Sequence, residues 1–135
     1  MHDQQPQIEW HGDDVPVSNR FGDPYFSLEN GLAETRHVFL AGNGLPTRFC
    51  PGFHIAELGF GTGLNLLAAL ALWRVSGQAG ALRYTSFEAF PLPAPDMIRA
   101  QGAFADLAGI AADLAPFWRA GAVRITRSDL DFTLV

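Results

Sequence analysis

An α/β fold with a parallel sheet is predicted by three features met in order along the chain. A short apolar run, Phe53-His54-Ile55-Ala56-Glu57-Leu58, ends in closely spaced glycines at 59, 61 and 63. The stretch from Leu64 to Val75 then lacks Gly and Pro, and Leu82 to Glu88 resumes an aromatic and β-branched pattern. Strand, glycine turn, helix and strand follow one another as in a Rossmann-like unit, where parallel neighbours are joined by a crossover helix.

The 135 residues suit one domain, and 48% hydrophobic composition with eleven Phe and three Trp is enough for a real core. From Ile8 to about Pro51 the chain mixes aromatics with Pro, Gly and Asp, and the segment Gly31 to Leu40 is expected to form a short helix. Residues 1–52 are taken as an extension that contributes to the cofactor and substrate pocket, and 53–135 as the Rossmann-like domain. Phe53 to Leu58 reads as a buried parallel strand. Leu64 to Val75 reads as a buried helix, apolar almost all round, which Ser76-Gly77-Gln78-Ala79-Gly80 breaks before the strand Leu82 to Glu88. After Pro91, Pro93 and Pro95, Asp96 is expected to cap a helix through about Ala100, with further helical turns to Trp118. Ala122 to Thr126 and Leu130 to Val135 look like two short strands paired as a hairpin.

Several function classes lose support. The longest apolar stretch, around Leu64 to Trp73, is interrupted by Asn65 and falls short of the roughly 20 residues a membrane span needs. Met1-His2-Asp3-Gln4-Gln5 has neither a basic start nor an apolar core, so no export signal is read and a cytoplasmic location is expected. Cys50 is the single cysteine, which rules out an internal disulfide, and no metal-ligand spacing accompanies it; a small partly buried hydrophobe beside Phe49 and Pro51 is its expected role. His2, His11, His37 and His54 are scattered and read as surface or packing residues, with no metal site. A net charge of −5 gives no polybasic footprint, so an RNA partner would need help from other parts.

The glycine turn carries the chemistry. Gly59, Gly61 and Gly63 let the backbone take positive φ and lie close against a ligand. The amides and positive dipole end of the next helix face whatever fills the turn. A dinucleotide fingerprint reads G-x-G-x-x-G, whereas here the third glycine comes one position early, which disfavours a nicotinamide-binding oxidoreductase. The spacing G-x-G-x-G favours S-adenosylmethionine, with its carboxylate and ribose as the groups held. Glu88 ends the second strand, where a carboxylate accepts hydrogen bonds from ribose hydroxyls. The plainer alternatives are a tight strand-to-helix connection for the glycines and a solvated strand end for Glu88.

Phe53-His54-Ile55-Ala56-Glu57-Leu58-Gly59-Phe60-Gly61-Thr62-Gly63-Leu64-Asn65 resembles the cofactor motif of the bacterial tRNA 5-methylaminomethyl-2-thiouridine methyltransferases, the MnmC/MnmD family. Pro16-Val17-Ser18, Phe21-Gly22-Asp23-Pro24-Tyr25-Phe26-Ser27, Gly31-Leu32-Ala33-Glu34, Val38-Phe39-Leu40-Ala41-Gly42-Asn43 and Ser86-Phe87-Glu88-Ala89-Phe90-Pro91-Leu92 fit the same family in the same order. The resemblance implies methyl transfer from S-adenosylmethionine to the exocyclic amine of 5-aminomethyl-2-thiouridine at the tRNA wobble position. It also implies that Glu57, Gly59, Gly61 and Glu88, with Gly63 of the same turn, hold the cofactor, while Asp23, Tyr25 and Ser27 shape the cofactor and base pocket. Core packing is the other reading of Tyr25 and Phe26. No catalytic residue is assigned, because aligning a neutral amine with the sulfonium methyl needs positioning and desolvation more than a strong base.

Family members continue beyond the strand that ends here at Val135, into an acidic loop and an Asp-Gly-Phe-x-Pro motif, and in bifunctional members into a flavin-dependent oxidase domain. The expectation is therefore the front part of the methyltransferase domain, weak or inactive alone. Its first strand would lie at an unpaired apolar edge, open to self-association or to a complementary segment. A non-enzymatic module that associates through this edge is the alternative reading.

Overall fold

The computed structural model describes residues 31–135 in full and, before them, the backbone of two short strands, β1 (Ile8–His11) and β2 (Val15–Ser18), which pair antiparallel. Asp23, Tyr25 and Ser27 lie outside the described residues. The segment expected as a short helix starts as α1 (Gly31–Glu34) and widens into a π-helical stretch, Thr35–Leu40. A 3-10 turn, Ala41–Asn43, and left-handed Gly44 then end it.

The main sheet has four strands in the order β3 (His54–Leu58), β4 (Leu82–Phe87), β6 (Leu130–Leu134) and β5 (Val123–Thr126). The first three are parallel and β5 closes an antiparallel hairpin on β6, as the sequence led one to expect. Helix α2 (Leu64–Ser76) connects β3 to β4. Helices α3 (Ala94–Gln101) and α4 (Ala108–Leu114) lie between β4 and the hairpin.

Both crossovers step across the sheet in the same direction, so right-handed connections place their helices on one and the same face. The burial pattern agrees. Leu82, Tyr84 and Ser86 of β4 and Leu130, Phe132 and Leu134 of β6 are buried, while Arg83 and Phe87 on the opposite face are exposed. The core lies between the first set and Leu66, Leu67, Leu70 and Trp73 of α2, with Met97, Ile110 and Leu114 from α3 and α4. Phe49 closes one end, its ring edge-on to Trp73 at 5.0 Å.

Three expectations change, the first being Cys50, which was expected partly buried and is exposed. The first strand is not buried: in β3 only Glu57 is, and Leu58 is 87% exposed. Among the described residues β3 pairs only with β4 and is covered on one face, so an apolar run here does not mean burial on both. Nor is Asp96 a helix cap. Helix α3 starts two residues earlier, at Ala94, with Pro93 before it and no side-chain cap. Pro95, whose ring already fixes a helical φ and whose missing N–H would have no partner there, extends the first turn upstream. Asp96 falls inside that turn, where its charge meets the positive dipole end.

Candidate cofactor site

The parallel pairing of β3 and β4 brings their carboxyl ends side by side, Leu58 opposite Phe87. Beyond this pair the chain turns sharply through left-handed glycines, Gly59 at φ 84°, Gly61 at 57° and Gly63 at 83°. The Gly59 N–H donates to the Phe87 carbonyl at 2.7 Å, and the Gly63 N–H donates to the Phe60 carbonyl at 3.1 Å. Phe60 anchors the turn to the core, its ring 5.4 Å from that of Phe132 and 5.6 Å from that of Trp118. A side chain at Gly59 would meet nothing within 4 Å. The backbone there faces open space, as a close ligand approach requires.

Each carboxylate expected at the site is held by named partners. Glu88 accepts the Gly61 N–H at 2.9 Å on one oxygen and the Phe90 N–H at 3.2 Å on the other. Glu57 accepts Asn65 Nδ2 and Ser86 Oγ, each at 2.8 Å. Burial raises the Glu57 carboxyl above its ordinary value and nearby Glu88 adds to this, against the lowering effect of the hydrogen bonds. Tyr84, fully buried beside it, interacts electrostatically with Glu57 without its hydroxyl completing a hydrogen bond. Burial first, and then the Glu57 charge, push the Tyr84 phenol well above its usual range.

The raised carboxyl has a consequence for stability. Above the ordinary glutamate value of 4.5 the unfolded chain releases a proton that folded Glu57 still holds. Stability present below that pH is therefore lost as pH rises through the raised value, at about 1.4 kcal/mol per unit of displacement. Glu57→Gln removes this loss. Thermal melts from about pH 4 to about pH 8 should show the variant gaining on wild type through that window and then keeping a constant margin. Parallel curves would contradict the assignment.

Beside the turn lies a cavity of about 430 Å³, within the size range of small-molecule sites. The turn supplies Gly59, Phe60, Gly61 and Thr62, and α2 supplies Leu64 and Asn65. The opposite wall is Glu34, Thr35, Val38, Phe39 and Asn43. Of the residues the sequence pointed to, Gly59 and Gly61 line the cavity. Glu57 and Glu88 stand one hydrogen bond behind it, through Asn65 and Gly61, and Gly63 packs behind the turn against Phe60 and Gln101. Sequence reasoning assigned no role to Asn65, Ser86, Tyr84 or Gln101.

No family model matches the chain. It is 49% identical over 113 residues to the tRNA 5-methylaminomethyl-2-thiouridine biosynthesis bifunctional protein MnmC of Hahella chejuensis, an alignment that covers 79% of this chain. The protein of that name from Acinetobacter baylyi is 43% identical over 140 residues, covering 94% of this chain. The chain belongs to the MnmC family. It spans about a fifth of the length of the curated relatives it matches, 18% of the first and 22% of the second. Among solved structures, MnmC2 from Aquifex aeolicus superposes with a TM-score of 0.58 over 98% of this chain and 43% of its own, at 21% identity. At that identity the match shows that the MnmC2 fold is shared.

Proposed function

We propose that the glycine turn and its cavity hold S-adenosylmethionine, and that the chain is the cofactor-binding front part of an enzyme that methylates the 5-aminomethyl group of 2-thiouridine at the tRNA wobble position. The observation that carries this reading is the 2.9 Å hydrogen bond from Gly61 to Glu88, which joins the glycine turn of one strand to the acid ending the next. The residues fit the cofactor. The open cradle at Gly59 leaves room for close approach, and the free amides of the first turn of α2 suit a carboxylate. Glu88 stands behind Gly61, whose N–H it holds, and an ionised carboxylate has about four lone-pair positions, so it keeps acceptor capacity for the ribose hydroxyls of a cofactor that reaches past Gly61 beyond the cavity. Glu57 holds Asn65 at the rim of the cavity by fixing its amide nitrogen.

When bound, S-adenosylmethionine supplies an electrophilic methyl group. The work of this chain is then to bind and orient it. On this reading residues 1–52, with Asp23, Tyr25 and Ser27, contribute to the cofactor and substrate pocket, and 53–135 are the Rossmann-like cofactor-binding part. The net charge of −5 leaves most tRNA phosphate contacts to other parts of the protein. Cytoplasmic location follows from such a substrate, and no helix among the described residues is long and apolar enough to cross a membrane.

Isothermal titration with S-adenosylmethionine tests the reading. One-to-one binding is expected, weakened in Glu88→Ala. No heat at millimolar cofactor from a chain shown to be folded by circular dichroism would defeat it.

A further inference from the structure

Gln101, the last residue of α3, is 2% exposed, yet its side chain reaches out of its own helix to the glycine turn. Its Nε2 donates to the Thr62 carbonyl at 2.8 Å, across 39 residues of sequence. The same nitrogen stands 2.9 Å from where a Cβ on Gly63 would lie, so glycine is what admits it so close. The Oε1 atom is buried and has no hydrogen-bond partner among the described residues. A buried amide that leaves one atom unsatisfied carries a desolvation cost, so its single bond must matter to the arrangement it joins.

That bond acts on one peptide unit. The Thr62 carbonyl and the Gly63 N–H belong to the same plane, the carbonyl held by Gln101 and the N–H by the Phe60 carbonyl. Gly63, free of a side chain at φ 83°, would otherwise let the unit rotate. Rotation would turn the carbonyl away from the core and disturb the start of α2, whose Leu64 and Asn65 line the cavity.

We infer that Gln101 is a positioning residue: it locks the Thr62–Gly63 peptide so that the Thr62 carbonyl stays turned from an anionic ligand group and the start of α2 stays in place beside the cavity. It does not touch the ligand. The effect on affinity rests on the cofactor reading above, whereas the effect on the turn does not.

The test uses the full chain and Gln101→Met, which keeps the length and loses the donor. Amide hydrogen exchange at Gly63 without ligand should quicken, and the affinity for S-adenosylmethionine should fall about five- to tenfold while the fold is kept. Unchanged exchange overturns the inference, and so does faster exchange with unchanged affinity. If wild type itself fails to bind, the cofactor reading falls and Gly63 exchange alone decides the role of Gln101. Should Gln101→Met not fold, Gln101→Glu decides. A neutral carboxylic acid can donate to Thr62 and an ionised one cannot, so protection of Gly63 relative to wild type should rise as pH falls. A ratio that does not move with pH overturns the inference.

Discussion

Gly63→Ala should destabilise the protein by about 2 to 5 kcal/mol, the sum of two separate costs. The first is conformational. At φ 83° an L side chain crowds its own backbone, which costs roughly 1–2 kcal/mol. The second is steric. A Cβ would stand 2.9 Å from both Gln101 Nε2 and Phe60 Cζ, in a place packed from two sides, and overpacking of this kind costs about 1–3 kcal/mol. Gly59→Ala separates the two. Its φ of 84° is the same within a degree, but its Cβ would meet nothing within 4 Å, so only the conformational cost applies. Urea denaturation of the pair should place Gly63→Ala well below Gly59→Ala. Equal losses would mean that the back of the turn is not packed as described.

Phe132→Ala should cost about 3–5 kcal/mol, a large share of the 5–15 kcal/mol that holds a typical domain together. Phe132 is fully buried in the middle of β6, with ring centroids of Phe60, Tyr84 and Trp118 all within 5.9 Å. Truncation leaves a cavity beneath the glycine turn, because Phe60 is the turn's anchor and Phe132 is one of its supports. Loss of stability should therefore come with weaker S-adenosylmethionine binding even at temperatures where the variant is still folded. Phe132→Leu, which fills more of the space, should lose less of both. Denaturant midpoints paired with calorimetric affinities check this, and a destabilised variant with full affinity would uncouple the turn from the sheet.

The order of strands and helices was legible because it depends on local patterns. The Gly-free run from Leu64, the break near Gly77 and the alternation of Leu82, Tyr84 and Ser86 are all readable one after another. What the sequence could not show is coverage. Leu58 sits in an apolar run and was expected inside, but which face of β3 receives helices depends on the direction of two crossovers, a property of the whole sheet. The turn was legible for the same local reason, since three glycines in five residues announce its backbone.

Its supports were not, because they arrive from a distance. Ser86 is opposite Glu57 only through the register of β3 on β4, and Gln101 reaches Thr62 from another crossover. A signal for each was nonetheless present. Ser86 continues the buried alternation of Leu82 and Tyr84 with a polar residue. Gln101 shares a face with Met97 and Ala100 at helical spacing, where an apolar residue would be expected. A polar side chain on an apolar stripe is a reason to look for a buried partner.

Where a nucleoside sulfonium settles on this chain is read most directly from its backbone amides. In a nitrogen-15 correlation spectrum, adding S-adenosylmethionine should move the resonances of Gly59, Gly61, Gly63, Leu64 and Asn65 together with those of Glu88 and Phe90, and leave the β5–β6 hairpin still. Shifts that spare the glycine turn, or that gather on the hairpin instead, would contradict the account.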